Sequence, residues 1–413
     1  MILFLVPELS VYFILFCLFC FTILILLWYY LYYFARISFY TEPDLASSPL
    51  DNQRLRAQLT EDGVPVSIVI CCKNEDHNLP EFLPHILSQD YPNYEVVVVD
   101  DCSSDNTPDV LRMFEKKYKR LKVITVKEDK KHHHGKKFAV MVGIKGAANE
   151  YLLFTDGDCK PLGNQWLRKM MRNFSNPLLP SPDKPREQEE TEIVLGYSKY
   201  EKLPGFLNKL IRFDTFHIAL QYLSFAMAGS PYMGVGRNLA YKKSLFFKHK
   251  GFATHYHIES GDDDLFINQA ASPANTKAEI SPESFTVSRV KKNWKGWIEQ
   301  KRRHLSTWTE YKTSDKILLG VYPFAQAFFW ILFTTLLLLC IFHRFPQPDS
   351  YIILFLFAFR IIVQLVIFKR AMDKLKEKDL LLLSLVSELF LLGVYPVLTI
   401  SNKLFRRQKW KRI

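Results

Sequence analysis

The amino-acid sequence predicts an α/β domain with a mainly parallel sheet, held between apolar segments at both ends of the chain. Short apolar runs alternate with helix-forming stretches between residues 66 and 156. The order strand, helix, strand, helix, strand, helix, strand is typical of a parallel sheet with right-handed crossovers. Long apolar runs flank this water-soluble middle, residues 42–316, on both sides.

The predicted strands are short and apolar, and they fall at residues 66–70, 94–99, 122–126 and 151–154. The second run is apolar throughout, which indicates a strand buried on both faces. Turn and N-cap residues separate the runs, and helices are expected at about residues 79–89, 108–118 and 138–148. A segment rich in Pro and Glu, residues 177–191, is expected to be a flexible excursion.

Four apolar segments are candidate membrane segments. Residues 9–34 reach the roughly 20 residues that cross a bilayer and end in aromatic residues before Arg36. A signal peptide is disfavoured, because no basic residues precede this run and no small-residue cleavage site closes it. Residues 317–342 and 351–368 are two further spans. Residues 380–400 carry Glu388 and Pro396 and could be a span, a re-entrant segment or a buried helix.

These boundaries divide the chain into four parts. We expect an N-terminal anchor at residues 1–40, a soluble domain at 41–289, a basic interfacial segment at 290–316 and a C-terminal membrane region at 317–413 with two or three membrane segments. Seven dispersed cysteines, odd in number and without metal-type spacing, predict reduced and mostly buried thiols.

Positive charge is concentrated beside the apolar segments. The formal net charge is +12, and Lys and Arg gather at Arg36 and in residues 291–316 and 369–378. The positive-inside rule therefore places the soluble domain in the cytoplasm. Anionic membrane lipids explain the charge more simply than nucleic acid, because no nucleic-acid-binding pattern accompanies it. The basic tail after residue 405 would lie outside if residues 380–400 crossed fully, so we expect that segment not to cross as a simple span.

Carboxylates follow three of the predicted strands. Glu75 follows the first strand, Asp100 and Asp101 end the second, and Asp156 and Asp158 end the fourth. Because the carboxyl ends of parallel strands share one edge of a sheet, these acids can meet in space. Asp-Gly-Asp after a buried strand suits Mg²⁺ or Mn²⁺ holding a diphosphate, although Asp-Gly taken alone is as readily a turn.

A fourth acidic cluster precedes an apolar helix. Gly261 is followed by Asp262, Asp263 and Asp264, and then by an apolar run. These acids could cap the positive end of that helix. They could also supply a general base, because a carboxylate close to others binds protons more tightly and suits deprotonation of a hydroxyl.

Basic and polar residues that could contact a phosphate or a sugar occur at two places in the sequence. Gln300, Arg303 and His304 share one helical face by their i, i+3, i+4 spacing, which suits either a lipid-facing basic helix or contact with a diphosphate and a sugar. Lys136 is a further candidate phosphate contact. The histidines at 132–134 are interpreted as part of a solvated basic loop.

Taken in order, these motifs resemble a membrane-anchored glycosyltransferase of family 2 with the GT-A fold, related to processive polysaccharide synthases. The resemblance covers residues 66–311. The nucleotide-binding motif corresponds to Val96-Val97-Val98-Val99-Asp100-Asp101 with Ser103-Ser104-Asp105, and the metal-binding D-x-D corresponds to Thr155-Asp156-Gly157-Asp158. The segment Gly234-Val235-Gly236-Arg237-Asn238 stands where the family lines the acceptor site. The catalytic-base motif corresponds to Gly261-Asp262-Asp263, and the Q-x-x-R-W motif corresponds to Gln300-Lys301-Arg302-Arg303-His304.

The resemblance implies an inverting transfer from a nucleotide sugar, expected to be a UDP-sugar, to a lipid-linked or glycan acceptor. It implies that Glu75, Asp100 and Asp101 hold the nucleoside and that Asp156 and Asp158 hold Mg²⁺ or Mn²⁺. Asp262 is the expected base, with Asp263 as the alternate.

The remaining site residues follow from the same resemblance. Gly236 and Asn238 line the acceptor site, and Gln300, Arg303 and His304 contact the donor. The expected location is the cytoplasmic face of a membrane, with the bacterial inner membrane foremost.

Two departures from the family pattern limit these expectations. His304 stands where the motif has Trp, which weakens the expectation that a sugar stacks there. Three or four membrane segments are few for a synthase that exports its own polymer, so single transfer and processive synthesis both stay open. A non-catalytic membrane scaffold is the alternative outside enzymes. A phosphoryl transferase would need a Gly-rich P-loop, and the sequence has no such motif.

Overall fold

The computed structural model describes residues 5–42, 63–127, 135–174, 190–258, 260–342 and 347–404. Three interpretations of the sequence lie outside the described residues. They are the Pro- and Glu-rich excursion as far as residue 189, the histidines at 132–134 and the basic tail.

The described residues form ten strands in two sheets. The strands are β1 Val66–Cys72, β2 Tyr94–Asp101, β3 Leu121–Val126, β4 Tyr151–Asp156, β5 Cys159–Pro161, β6 Ile193–Gly196, β7 Ser198–Tyr200, β8 Leu239–Lys242, β9 Thr276–Glu279 and β10 Thr286–Ser288. The larger sheet has the order β3-β2-β1-β4-β8-β6-β9, and the smaller has the order β5-β10-β7.

Helices surround both sheets. They are α1 Leu5–Trp28, α2 Ala35–Ser38, α3 Leu79–Leu87, α4 Thr107–Lys117, α5 Lys136–Gly146, α6 Trp166–Met171, α7 Phe206–Met227, α8 Lys243–Lys248, α9 Asp264–Ala270, α10 Trp294–Leu305, α11 Thr313–Ile341, α12 Gln347–Lys374 and α13 Leu381–Leu404. A π-helical segment, Tyr29–Phe34, joins α1 to α2.

The larger sheet is mixed and mainly parallel, so the prediction of the fold class is confirmed. Strands β3, β2, β1 and β4 are parallel, and only β8 runs antiparallel to both of its neighbours, β4 and β6. The run from Val96 to Val99 in β2 is fully buried, as its continuous apolar character predicted. Each such valine contributes about 1.5–3 kcal/mol through burial.

The strand register sets the position of the acids. Cys72 of β1 lies beside Asp100 of β2, and Cys71 lies beside Asp156 of β4. The carboxyl ends of three adjacent strands therefore meet along one edge of the sheet. The smaller sheet continues from this edge, because β5 begins three residues after β4 ends.

Within the described part of the chain, four helices are long and apolar enough to cross a membrane: Val11–Ser38, Thr313–Ile341, Ser350–Lys374 and Lys378–Asn402. The helices α1, α11 and α12 pack against one another. Phe329 of α11 stacks on Phe19 of α1 at 5.5 Å between ring centroids and on Phe357 of α12 at 5.8 Å.

The last apolar helix, α13, lies against α7 and α10. Just before it begins, Asp379 accepts a hydrogen bond of 2.9 Å from Arg212 of α7. Near its other end, Asn402 Nδ2 donates to the backbone oxygen of Arg302 in α10 at 2.9 Å. Between these ends, the Tyr395 hydroxyl donates to Asp214 of α7. Both ends of α13 thus contact helices that lie between the N-terminal anchor and α11 in the chain.

Candidate active site

The Asp-Gly-Asp turn brings three potential metal ligands together. Oxygen atoms of Asp156 and Asp158 and the sulfur of Cys159 all lie within 4.8 Å of one another. The turn approaches its neighbours so closely that only glycine fits at position 157. A Cβ atom there would lie 2.9 Å from Cys72 Cβ and 3.2 Å from Glu75 Cγ. The turn therefore packs directly against the loop that follows β1.

These groups fit a hard divalent cation. Carboxylate oxygens are the ligands that Mg²⁺ and Mn²⁺ prefer, whereas a thiol favours softer metals. The Cys159 thiol instead lies 2.8 Å from the Ser288 hydroxyl, and burial raises its pKa well above the usual range. Burial, followed by the negative charge of Asp156, raises the pKa of Asp158. A cation between the two carboxylates would relieve this repulsion.

Glu75 lies at the same edge of the sheet. Asn78 Nδ2 donates to its carboxylate at 2.6 Å, and its backbone N–H donates to the Thr107 hydroxyl at 2.8 Å. Burial, together with the charges of Asp158 and Asp156, raises the pKa of Glu75 to about 7. Glu75 thus belongs electrostatically to the Asp-Gly-Asp cluster.

The loops after β1 and β2 are joined by hydrogen bonds. The backbone N–H of Asn74 donates to the Ser103 hydroxyl at 2.9 Å, and the N–H of Ser103 donates to Asp100 Oδ1 at 3.1 Å. Asp100 and Asp101 are both buried. Asp100 therefore shapes the cleft between the two loops in addition to any contact it makes with a ligand.

Lys136, the first residue of α5, links two of the acidic clusters. Its Nζ lies 2.7 Å from Asp156 Oδ1 and 3.4 Å from Asp262 Oδ2. Burial alone would lower the pKa of this ammonium, but the charges of Asp156, Asp262 and Asp263 raise it well above its usual value. The acids that the sequence places more than 100 residues apart thus share one cation.

The three consecutive aspartates have different environments. Asp263 is the N-cap of α9 and accepts hydrogen bonds from the backbone N–H groups of Asp264 at 2.8 Å and Gly236 at 2.7 Å. Asp264 is buried and accepts from the hydroxyls of Thr307 and Tyr311. Asp262 lies beside Lys136 and faces the cavity described below.

The carboxyl group of Asp263 has a strongly shifted proton affinity. Burial, with the nearby charges of Asp262 and Asp264, raises its pKa to about 7. Its two backbone hydrogen bonds nevertheless hold it in place as a cap. Of the two base candidates, Asp262 is the one whose carboxylate is less occupied by backbone N–H groups.

The predicted acceptor-site loop contains one residue that the sequence did not single out. Arg237 places its guanidinium 4.4 Å from the centroid of the Tyr200 ring and donates to the Ser288 hydroxyl at 3.0 Å. Burial acts against its charge, but Tyr200, Cys159 and Asp158 raise its pKa further. A lone cation in an otherwise apolar and Gly-rich loop was the sequence signal that could have identified it.

Asn238 supports this loop from beneath. It is fully buried, and its amide donates to the backbone oxygens of Tyr197 and Ser284, each at 2.8 Å. Its Oδ1 accepts from the Trp166 indole at 2.9 Å. A direct contact between this amide and a substrate would require breaking these bonds. The structure therefore places Asn238 behind the site rather than on its surface.

Helix α10 brings the Q-x-x-R-H residues to the same opening. Asn293 caps this helix by accepting from the N–H of Gly296 at 2.8 Å. Gln300 Nε2 donates to the Tyr200 hydroxyl at 2.9 Å. Arg303 and His304 lie along the same face and line the cavity. Desolvation in this cavity, with the nearby cations, lowers the pKa of His304 well below its usual value.

A cavity of about 390 Å³ connects these groups with the apolar helices. Its outer end is lined by Lys136, Asp156, Asp262 and Asp263, and α10 contributes one wall. The cavity continues between α7, α11 and α13. The sequence did not predict that helices of the C-terminal region would contribute to the site.

Several named relatives match parts of this chain, and two of them are glycosyltransferases with 36% identity. The glycosyltransferase AglE of Haloferax volcanii is 36% identical over 112 residues, which cover 27% of this chain and 35% of that protein. The poly(ribitol-phosphate) beta-glucosyltransferase of Bacillus spizizenii is 36% identical over 208 residues, which cover 50% of this chain and 29% of that protein. The chain thus spans about a third of the length of these relatives.

Structural similarity extends over nearly the whole chain. The mannosyltransferase PcManGT of Pyrobaculum calidifontis, solved in complex with GDP-Man and Mn²⁺, superposes with a TM-score of 0.52 over 92% of this chain and 98% of that one. At 18% identity, this similarity concerns the fold. The profile of Glycosyl transferase family 2 matches residues 67–226. The chain therefore carries a glycosyltransferase family 2 domain with the GT-A fold, as its motifs predicted, together with apolar helices that fit membrane anchoring.

Proposed function

We propose that the protein transfers a sugar from a nucleotide sugar to a hydroxyl of a lipid-linked or glycan acceptor in one inverting displacement. The observation that carries this proposal is the single opening shared by Asp156, Lys136 and Asp262. A donor diphosphate at Asp156 and an acceptor hydroxyl at Asp262 would then lie on opposite sides of one anomeric carbon.

The donor half binds the diphosphate through both acids and cations. Asp156 and Asp158 would hold Mg²⁺ or Mn²⁺, which would neutralise the diphosphate as it leaves. Lys136, Arg237 and Arg303 supply fixed positive charge around the same position. A UDP-sugar is the first donor to test, and GDP-Man is the second, because PcManGT was solved with it.

Asp262 is the proposed base. It accepts the proton of the acceptor hydroxyl while that oxygen forms a bond to the anomeric carbon. The bond between this carbon and the diphosphate oxygen breaks, and the nucleoside diphosphate leaves with the electron pair. Attack from the face opposite the leaving group inverts the configuration. Asp263 would hold the loop around Gly236 next to Asp262, because its carboxylate accepts hydrogen bonds from the N–H groups of Gly236 and Asp264.

The proposed site lies on the cytoplasmic face of a membrane. Charge favours this side, since basic residues flank the apolar helices where they meet the soluble domain. We further propose that α13 does not cross the membrane, because Asp379 just before its start contacts α7 and Asn402 near its other end contacts α10. The basic tail would then lie on the cytoplasmic side, in agreement with the positive-inside rule. A third C-terminal span would instead place this tail outside.

The topology can be tested with an epitope tag after residue 413, in sealed vesicles of known orientation. A cytoplasmic tag is protected from protease in right-side-out vesicles and cleaved in inverted ones. The opposite pattern would contradict the proposed position of α13. A second tag in the soluble domain, at the exposed turn around Gly163, serves as the cytoplasmic reference.

The activity can be tested with membranes containing the wild-type protein and a panel of radiolabelled nucleotide sugars with Mg²⁺ or Mn²⁺. We expect transfer from one donor to a membrane-extractable or glycan product, with release of the nucleoside diphosphate. Membranes carrying Asp262→Asn are the matched control. Absence of transfer from every donor of the panel would contradict the proposed function.

A further inference from the structure

The inner end of the active-site cavity lies among the apolar helices. Tyr322 and Gln326 of α11, Glu388 of α13 and His217 of α7 line it. The lining extends along α11 no further than Gln326, and among the described residues α12 contributes no lining side chain. These four side chains therefore mark where the cavity ends.

The polar groups at this end form a network with no net charge. Glu388 accepts hydrogen bonds from the Tyr322 hydroxyl at 2.5 Å and from Gln364. Arg360 donates to Gln364 at 2.5 Å and also to Gln326. One carboxylate and one guanidinium are thus joined through neutral amides. Ionisable groups within apolar helices are costly and commonly serve function.

Two of the side chains that line the cavity end, Gln326 and His217, each have a nitrogen atom without a hydrogen-bond partner among the described residues. Gln326 is 1% exposed, its Oε1 accepts from Arg360, and among the described residues its Nε2 has no hydrogen-bond partner. His217 Nε2 is likewise unpaired within the described part of the chain. A buried unsatisfied donor costs about 1–3 kcal/mol, so a ligand that bonds to it gains affinity.

The cavity is closed behind this network. Phe329, one turn beyond Gln326, is fully buried between Phe19 and Phe357. The guanidinium of Arg360 lies 4.6 Å from the Phe329 ring centroid. Within the described residues, the helix bundle is therefore filled at the depth where a polymer channel would have to continue.

We propose that this inner end is a binding subsite for a neutral, hydroxyl-bearing group, a sugar or polyol, of the acceptor. The inference rests on the proposed transfer function and specifies its acceptor. Free amide and imidazole nitrogens beside a carboxylate and tyrosine rings suit hydroxyl groups, which both donate and accept. Among the described residues, no cation lines this end for an anionic phosphate, because Arg360 lies outside the lining and donates to Gln326, Gln364 and Tyr30. The closed end implies that the product leaves by the path through which the acceptor entered.

Equilibrium binding to the full-length protein in lipid nanodiscs tests the subsite. The probes are tritiated n-octyl glucoside, n-octyl phosphate and n-octanol, which share one tail and differ in their head groups. We expect saturable binding of the glucoside alone. Gln326→Leu and His217→Phe should each weaken this binding about tenfold and leave nucleotide-sugar affinity unchanged.

The matched control is Thr334→Val, which alters an exposed polar side chain of the same helix. It should leave the affinity for the glucoside unchanged. His217→Phe preserves the ring that stacks on Phe213, so it provides a result even if Gln326→Leu fails to fold. Equal binding of octyl phosphate or octanol, or unchanged glucoside binding in a folded variant, would overturn the subsite.

The size of the enzymatic product tests the closed end. Mass spectrometry of the wild-type product should show a short product rather than a ladder of long chains. A long polymer would overturn the closed cavity while leaving the transfer function intact. Failure of every donor in the nucleotide-sugar panel would instead remove the function on which the subsite depends.

Discussion

The two ends of the active-site cavity differ in charge and in origin. The outer end gathers Glu75, Asp156, Asp158 and Asp262 from the ends of strands and the segment before α9, and the ammonium of Lys136 lies between Asp156 and Asp262. The inner end, built from helices, balances Glu388 against a guanidinium through neutral amides. An acidic end of this kind needs a cation to accommodate a diphosphate. A neutral hydrogen-bonding end instead selects hydroxyl groups. The two halves of a transfer reaction thus have separate electrostatic environments within one cavity.

Asp158→Asn is expected to have the largest effect, because it should weaken ligand binding at the outer end of the cavity and leave binding at the inner end unchanged. Loss of this carboxylate removes one of two hard ligands, so Mn²⁺-dependent donor binding should weaken by at least about 100-fold. Calorimetric titration of the nucleotide sugar with and without Mn²⁺ measures it. Octyl glucoside binding at the inner end should be unchanged. Asp109→Asn is the control, because Asp109 is a surface carboxylate paired with an exposed arginine. Donor affinity that stays metal-dependent and unchanged in Asp158→Asn would refute the metal site.

A smaller effect, on the stability of the protein, is expected from replacing Asn238, which lies beneath the loop between the two ends of the cavity. Asn238→Ala leaves the Trp166 indole and two backbone carbonyls without partners, and it should lower the free energy of unfolding by about 2–4 kcal/mol. Thermal unfolding of the purified protein measures this loss. Asn106→Ala, at an exposed helix cap without a side-chain hydrogen bond, should change stability by less than about 0.5 kcal/mol. An unchanged unfolding temperature for Asn238→Ala would refute its supporting role.

The smallest effect concerns pH at the acidic end. The pKa of Glu75 is raised to about 7, so the folded protein binds this proton more tightly than the unfolded chain does. In the protein without donor or metal, the contribution of Glu75 to the free energy of unfolding is therefore fully present below the ordinary carboxyl pKa and is lost as the pH rises towards about 7. Thermal unfolding between about pH 5 and pH 7.5 should show a smaller fall for Glu75→Gln than for wild type. Identical profiles would show that Glu75 does not carry this shift.

The acidic end was largely predictable from the sequence, and the neutral end was not. Asp156 and Asp158 lie at the end of an apolar run that predicts a buried strand, and parallel topology then determines which strand ends are neighbours. Gln326 and Glu388 stand alone in apolar helices, and nothing in their spacing indicates that they face one cavity. Their proximity depends on how α11 and α13 pack, which periodicity does not determine.

Individual roles within the predicted motifs were also beyond the sequence. Asp263 and Asn238 occupy motif positions, yet backbone and indole hydrogen bonds engage both of them. A motif identifies a residue type at a position, whereas the partners of a buried polar group depend on the surrounding fold. Arg237 shows the converse, because it lies beside the acids although the sequence-based set of site residues omitted it.

The most direct test of the account is a comparison of donor binding and sugar transfer in wild type and Asp262→Asn. The account predicts that the variant binds the nucleotide sugar and metal with wild-type affinity, while its transfer rate falls by about 10²–10⁴-fold, the range for loss of a general base. Transfer at the wild-type rate by a variant that binds donor normally would contradict the assignment of Asp262 as the base.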